Sequence, residues 1–227
     1  MRIAVLGTGS VGRTIGARLH QLGHEVVIGT RDPADTLART APDAMGNPPF
    51  TEWQHDTPGV RLADFTDAAR NAELVVLAVG GSAALDVLGR VGEEHLAGKV
   101  LLDVSNPLDF SAGFPPTLTV KDTDTLAEQV QRAFPAARVV KSLNTMTAAV
   151  MVDPGQLPES STVFVSGDDA DAKTTVTTLL ESFGHDDVID LGDLSSARGA
   201  EMFLPLWVRL MGALGTSTFN IKVVRPS

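Results

Sequence analysis

The residues with the clearest chemical capacity are Gly7-Thr8-Gly9-Ser10-Val11-Gly12, a Gly-x-Gly-x-x-Gly run. Such a run matters only between a strand and a helix, where backbone N–H groups and the helix dipole can hold a pyrophosphate. That context is present. Arg2-Ile3-Ala4-Val5-Leu6 reads as a strand, and Val11, Ile15, Leu19 and Leu22 recur at helical spacing. Gly7 permits the tight turn, Gly9 admits close approach of a ligand, and Gly12 lets the helix lie against the strand. The plain alternative is a glycine-rich turn with no ligand.

A second strand is expected at residues 25–28, followed by Gly29-Thr30-Arg31-Asp32. In a dinucleotide fold this position meets the adenosine ribose, and an acid there suits NAD. A hydroxyl and a guanidinium fork suit a 2′-phosphate instead, so Thr30 and Arg31 favour NADP. Asp32 has two readings: a ribose ligand, or the N-cap of a helix that begins with Pro33.

Three later strands should end at the same ligand edge. Residues 73–79 form a continuous apolar run, which places Val79 and Gly80 near the adenosine–phosphate half. A strand at 98–104 leads to Asn106, which either donates to a substrate or organises the turn before Pro107. A strand at 137–143 leads to Asn144-Thr145-Met146. Asn144 and Thr145 suit a nicotinamide amide or a planar substrate, and Met146 suits a ring face. Alternatively, they cap a helix at 148–151.

No nucleophile–base constellation or carboxylate pair is visible, so no catalytic residue is assigned. Cysteine and tyrosine are absent, which removes thiolate chemistry and cysteine-held metals. Lys141 lies inside a strand, a poor position for a catalytic lysine. Asp168, Asp169, Asp186, Asp187 and Asp190 read as caps and turn residues, with no metal expected. His55 reads as a surface residue.

The 227-residue chain carries 18 Lys plus Arg against 28 Asp plus Glu, a net charge of −10. That balance disfavours nucleic acid and anionic membranes as partners. Met1-Arg2 runs straight into a strand, so no leader is expected, and no apolar run approaches the ~20 residues of a membrane span. A cytoplasmic location fits.

The remaining pattern predicts a loop over residues 42–59, a strand at 60–62 and helices at 64–71, 125–134 and 170–183. Further strands are expected at 162–167 and 187–192. Phe203, Leu206, Trp207, Leu210, Met211 and Leu214 predict a helix that buries one broad stripe, in the core, in a homodimer interface or as a pocket wall. Pro205 should kink or break that helix, and residues 219–224 read as a closing strand. The expected architecture is α/β: a doubly wound, mostly parallel Rossmann sheet at 1–192, with a C-terminal helix–strand extension at 193–227.

Taken together, these stretches resemble the NADPH-dependent coenzyme F420 reductases, also called F420H2:NADP oxidoreductases. The likeness rests on residues 3–12, on Gly23-His24-Glu25-Val26-Val27-Ile28-Gly29-Thr30-Arg31, on Val139-Val140-Lys141-Ser142-Leu143-Asn144-Thr145 and on Phe219-Asn220-Ile221-Lys222. The membrane-bound STEAP ferric reductases carry a similar cytosolic domain. The resemblance implies NADP(H) as cofactor, coenzyme F420 as small-molecule acceptor, pyrophosphate on residues 7–12 and 2′-phosphate on Thr30 and Arg31. It also implies hydride transfer between stacked rings, which needs orientation more than acid–base groups. Two departures stand out: well-known members have histidine where this chain has Asn144, and a proline and a bulky residue where it has Gly80-Gly81. Rival readings are an NADPH-dependent reductase of FMN, a quinone, a ferric chelate or an imine, and a non-catalytic NADPH sensor.

Overall fold

A computed structural model describes residues 1–43 and 46–226. β1 (Arg2–Leu6) runs through the glycine turn into α1 (Ser10–Gln21) and then β2 (Glu25–Thr30). α2 (Pro33–Ala38) and α3 (Phe50–Asp56) lead to β3 (Arg61–Asp64), and α4 (Phe65–Arg70) leads to β4 (Leu74–Leu77). A 3-10 turn at Gly81–Ala83 opens α5 (Ala84–Val91); α6 (Glu93–Leu96) and β5 (Val100–Asp103) follow. A small antiparallel pair, β6 (Leu108–Asp109) and β7 (Thr117–Leu118), precedes α7 (Leu126–Ala133) and β8 (Arg138–Ser142). The chain ends with α8 (Ala148–Val152), β9 (Thr162–Gly167), α9 (Ala170–Phe183), β10 (Asp187–Asp190), α10 (Ala197–Met202) and α11 (Leu204–Leu214).

The described residues build one eight-stranded sheet in the order β10-β9-β8-β5-β4-β1-β2-β3. The six strands from β3 to β8 in that list are parallel, which is the doubly wound arrangement with its order reversal between β1 and β4. β9 runs antiparallel to β8, and β10 parallel to β9. The helix between β8 and β9 has five residues, about 7.5 Å of rise. That is under half the roughly 16 Å of a five-residue strand, so it does not provide the crossover a parallel neighbour needs.

Alternation along each strand divides the core. Ile3 and Val5 pack with Ile15, Leu19, Met151 and Leu180 on the face covered by α1, α8 and α9. Ala4 and Leu6 pack with Phe65, Leu88 and Val130 on the opposite face. Strands buried on both faces explain the apolar runs in the sequence.

Three expectations need correction. The loop expected at 42–59 contains α3, whose Phe50 is 2% exposed and packs at 5.1 Å against Trp53 with the rings tilted by 49°. Residues 219–224 form no strand: Ile221 O accepts from Thr162 N, but Val223 N donates to the Thr162 hydroxyl instead of continuing a ladder. The stripe on α11 is only half buried within the chain: Phe203, Trp207, Leu210 and Met211 are partly covered. The helix turns Leu204 and Val208 inward and leaves Leu206 and Leu214 54% and 56% exposed. Pro205 does mark a break, sitting in the first turn of α11 just after α10 ends.

A methyl group at Gly12 would lie 2.1 Å from Gly7 O, whereas one at Gly9 meets nothing within 4 Å. Gly12→Ala is therefore expected to cost about 1–3 kcal/mol or more. That corresponds to a drop in Tm of roughly 3–10 °C in a thermal melt followed by circular dichroism. Gly9→Ala should leave Tm unchanged; equal Tm values for the two variants would contradict this packing.

Candidate functional site

The glycine turn sits where the sheet order reverses. Gly7 has φ +127°, and a Cβ there would lie 2.5 Å from Ala78 O, so β1 and β4 meet too closely for a side chain. Gly9 is the N-cap of α1 and offers no capping side chain. Its exposed backbone, with exposed Ser10 and half-buried Thr8 and Val11 beside it, leaves the first N–H groups of a twelve-residue helix open to an anion.

Beyond β2, Thr30 and Arg31 behave differently. Thr30 is buried, and its hydroxyl lies 2.8 Å from that of Thr36. Thr36 donates its own proton to Asp32 O at 2.8 Å. The Thr30 proton therefore points to Thr36, and Thr30 has none left for a phosphate; it fixes the loop instead. Arg31 is exposed and makes no hydrogen bond or ion pair among the described residues. Asp32 adopts the cap reading, accepting from Asp35 N at 3.0 Å.

Next to this turn lies a cavity of about 630 Å³ lined by Thr8, Gly9, Arg13, Thr36, Arg39 and Phe50, among others. Sequence reasoning missed Arg13, which follows Gly12 directly. Its Nε donates to Thr8 O at 2.6 Å, Nη1 donates to Pro48 O, and the guanidinium lies 5.4 Å from the Phe50 ring centre. Burial lowers its pKa, while the charge of Asp43 acts the other way. Arg13 thus braces the glycine turn against α3.

On the other side of the turn, half-buried Val79 and exposed Gly80 lead into a close contact. A Cβ on Gly81 would lie 2.2 Å from Asn106 O, so the departure at Gly81 has a steric reason here, whereas a Cβ on Gly80 would meet nothing within 4 Å. Asn106 and Asn144 interlock. Asn106 Nδ2 donates to Asn144 O at 3.1 Å, and Asn144 Nδ2 donates to Asn106 Oδ1 and to Ala200 O, each at 3.0 Å. Both Asn144 amide protons are occupied. It can therefore offer a ligand only its carbonyl oxygen, while Asn106 keeps one N–H. Thr145 is buried with no hydrogen bond on its hydroxyl among the described residues. Met146 is packed into the core, not presented to a ring, and the helix cap belongs to Thr147.

Behind this amide pair is a fully buried charge cluster. Lys141 Nζ lies 2.9 Å from Asp103 Oδ2 and 3.0 Å from Glu201 Oε1, and it donates to Ser105 O. Asp103 Oδ1 accepts from Ser105 N and Oγ. Glu201 accepts from Leu126 N and Ala127 N at the start of α7. Burial works against the ammonium, but Asp103 and Glu201 outweigh it and raise the Lys141 pKa. Sealed and charged, Lys141 cannot act as a base.

The aspartates have local tasks. Asp169 caps α9, Asp168 accepts from Leu194 N, Asp190 pairs with Lys173, and Asp187 binds Thr162 and Arg225. Among the described residues no group of three or more His, Asp or Glu could hold a metal ion, and no helix is long and apolar enough to cross a membrane.

Known proteins resemble this chain in sequence and fold. Residues 2–107 match the family described as NADP oxidoreductase, coenzyme F420-dependent. The F420-dependent NADP reductase of Methanothermobacter marburgensis is 31% identical over 214 residues, covering 92% of each chain. A crystal structure described as a candidate F420-dependent NADP reductase from Arthrobacter sp. FB24 is 59% identical, with a TM-score of 0.96 over 99% of this chain and 100% of that one. The metalloreductase STEAP3 of Rattus norvegicus is 29% identical over 94% of this chain but only 39% of its own length.

Lys141→Ala would leave two carboxylates buried without their cation. It should destabilise the protein by about 3–5 kcal/mol in urea unfolding; a loss below about 1 kcal/mol would show that the cluster is not closed as described.

Proposed function

The chain belongs to the F420-dependent NADP reductase family, and on that premise we propose that it transfers hydride between NADP(H) and coenzyme F420 or a similar flavin-like acceptor. One observation carries the choice of nucleotide. The guanidinium after β2 is exposed and unpaired among the described residues, while the neighbouring carboxylate is committed to capping α2. A 2′-phosphate matches that arrangement; an unphosphorylated ribose, which wants an acceptor, does not.

The other roles follow from the position of the turn. Gly7, Thr8, Gly9, Ser10, Val11 and Gly12 hold the pyrophosphate against α1. Thr30 keeps the β2 loop in shape so that Arg31 faces the phosphate. With the adenosine end over β2, the nucleotide runs across β1 and β4, past Val79 and Gly80, and its nicotinamide end reaches Asn106, Asn144 and Thr145. There the free N–H of Asn106 and the carbonyl oxygen of Asn144 suit the two halves of a carboxamide.

When bound, the nicotinamide and the acceptor ring would exchange a hydride, and the accompanying proton would be exchanged with solvent. The protein's contribution is to hold the two reacting carbons together and keep water out, which requires no acid–base side chain. The departure from histidine at Asn144 fits a site that orients by amide hydrogen bonds.

The segment 193–227 is proposed to wall the acceptor side and to form a homodimer face through Leu206 and Leu214. The absence of cysteine is consistent with a cytoplasmic setting, and the net charge of −10 argues against nucleic acid.

Arg31→Ala should raise the Kd for NADPH roughly 10- to 150-fold, the loss of about 1.5–3 kcal/mol expected for a hydrogen bond to a charged group. NADH binding should change by less than about twofold on the same physical argument. Equal losses for both nucleotides would remove the phosphate clamp. Absorbance assays of NADPH oxidation with F420, FMN, menadione and a ferric chelate in parallel test the acceptor. Turnover with FMN and none with F420 would overturn the deazaflavin assignment.

A further inference from the structure

Three separate chain segments meet behind the nicotinamide end, and they meet twice. In the deeper layer β5 contributes Asp103, β8 contributes Lys141 and α10 contributes Glu201. In the outer layer the same segments contribute Asn106, Asn144 and the carbonyl of Ala200. Asn106 follows Asp103 by three positions, Asn144 follows Lys141 by three, and Ala200 adjoins Glu201. Fixing the charged layer therefore fixes the relative height of the amide layer.

Stability alone does not account for the charges. A buried ion network is often no more stable than well-packed apolar residues of similar volume. It differs in being directional. All three N–H groups of Lys141 have acceptors, and both oxygens of Asp103 and of Glu201 have donors. Apolar contacts would let α10 slide along the sheet at little cost; these bonds admit one register. The backbone adds a second sign. Leu143, between Lys141 and Asn144, has φ +62°, a conformation that leucine keeps only where its surroundings enforce it. That twist aims Asn144 at Asn106.

We propose that Asp103, Lys141 and Glu201 are positioning residues: together they hold the loop after β5, the loop after β8 and α10 in the register that closes the Asn106–Asn144 pair against the nicotinamide end of the nucleotide. This rests on the nucleotide orientation given under Proposed function. It adds that the C-terminal segment belongs to the reaction site through Glu201.

Lys141→Ala alone is a poor functional probe, because the stability it loses by leaving two carboxylates unpaired would mix with any change in binding. The informative variant is the neutral triple Asp103→Asn/Lys141→Met/Glu201→Gln. Its amide oxygens still accept from Ser105 N and Leu126 N, and the Ser105 carbonyl that Lys141 vacates can take an amide proton; Ala127 N gives up its acceptor, which is the cost of neutralising Glu201. Two nucleotides separate the ends of the site: NADPH, and 2′-phospho-ADP-ribose, which lacks only the nicotinamide.

The expected result is a folded triple variant whose Kd for 2′-phospho-ADP-ribose stays within twofold of the parent. Its Kd for NADPH should rise about tenfold, with kcat for F420 reduction falling by at least that factor. Hydrogen exchange without nucleotide should quicken in residues 104–107 and 143–146 and not in residues 7–12. Equal changes for the two nucleotides, or unchanged NADPH affinity with unchanged exchange in those two loops, would overturn the proposal. A parent protein that binds both nucleotides but does not reduce F420 would overturn the acceptor assignment alone, since both binding ratio and exchange remain readable.

Discussion

Everything in this molecule depends on how closely β1, β4 and the start of α1 approach one another. Gly7 and Gly12 leave no room for a methyl group against backbone oxygens. That crowding sets the helix end directly over the sheet's order reversal, where N–H groups have no protein partner and an anion can take their place. Gly9, between them, has free space and contributes nothing to packing. The same six residues are thus rigid at both ends and open in the middle.

Around that turn, protons decide which polar groups remain available. Thr30 and Asn144 both carry donors, yet Thr36, Asn106 and Ala200 already receive them. Among the described residues Arg31, the second amide proton of Asn106 and the Thr145 hydroxyl are left. A cation after β2 and a neutral amide pair beyond β5 and β8 would suit the two ends of the proposed phosphorylated nucleotide, whose redox ring is uncharged when reduced.

The sequence was most legible where local pattern and tertiary role coincide. The strand–turn–helix at the amino terminus shows both periodicities and the glycines that join them. α3 was hidden because its seven residues lie in a Pro- and Gly-rich stretch, with only Phe50 and Trp53 to mark a face. Residues 219–224 have strand-forming composition but meet no ladder, and pairing is settled by the neighbour. The α11 periodicity located an apolar face without saying what covers it; Leu204 and Val208 turned out to be the inward pair. The bonds linking Asp103, Lys141 and Glu201 join distant positions, and no spacing rule could have brought them together.

The two outermost strands, β3 and β10, are four residues each, and both begin and end with a charged residue: Arg61 and Asp64, Asp187 and Asp190. Each offers a neighbour about 13 Å of unsatisfied backbone, too short and too well guarded by charge to recruit another chain edge to edge. Lateral growth of the sheet is closed off on both flanks. Any self-association would then rest on side-chain packing on helical surface, which can be finite and reversible, and not on the open-ended stacking that strands permit.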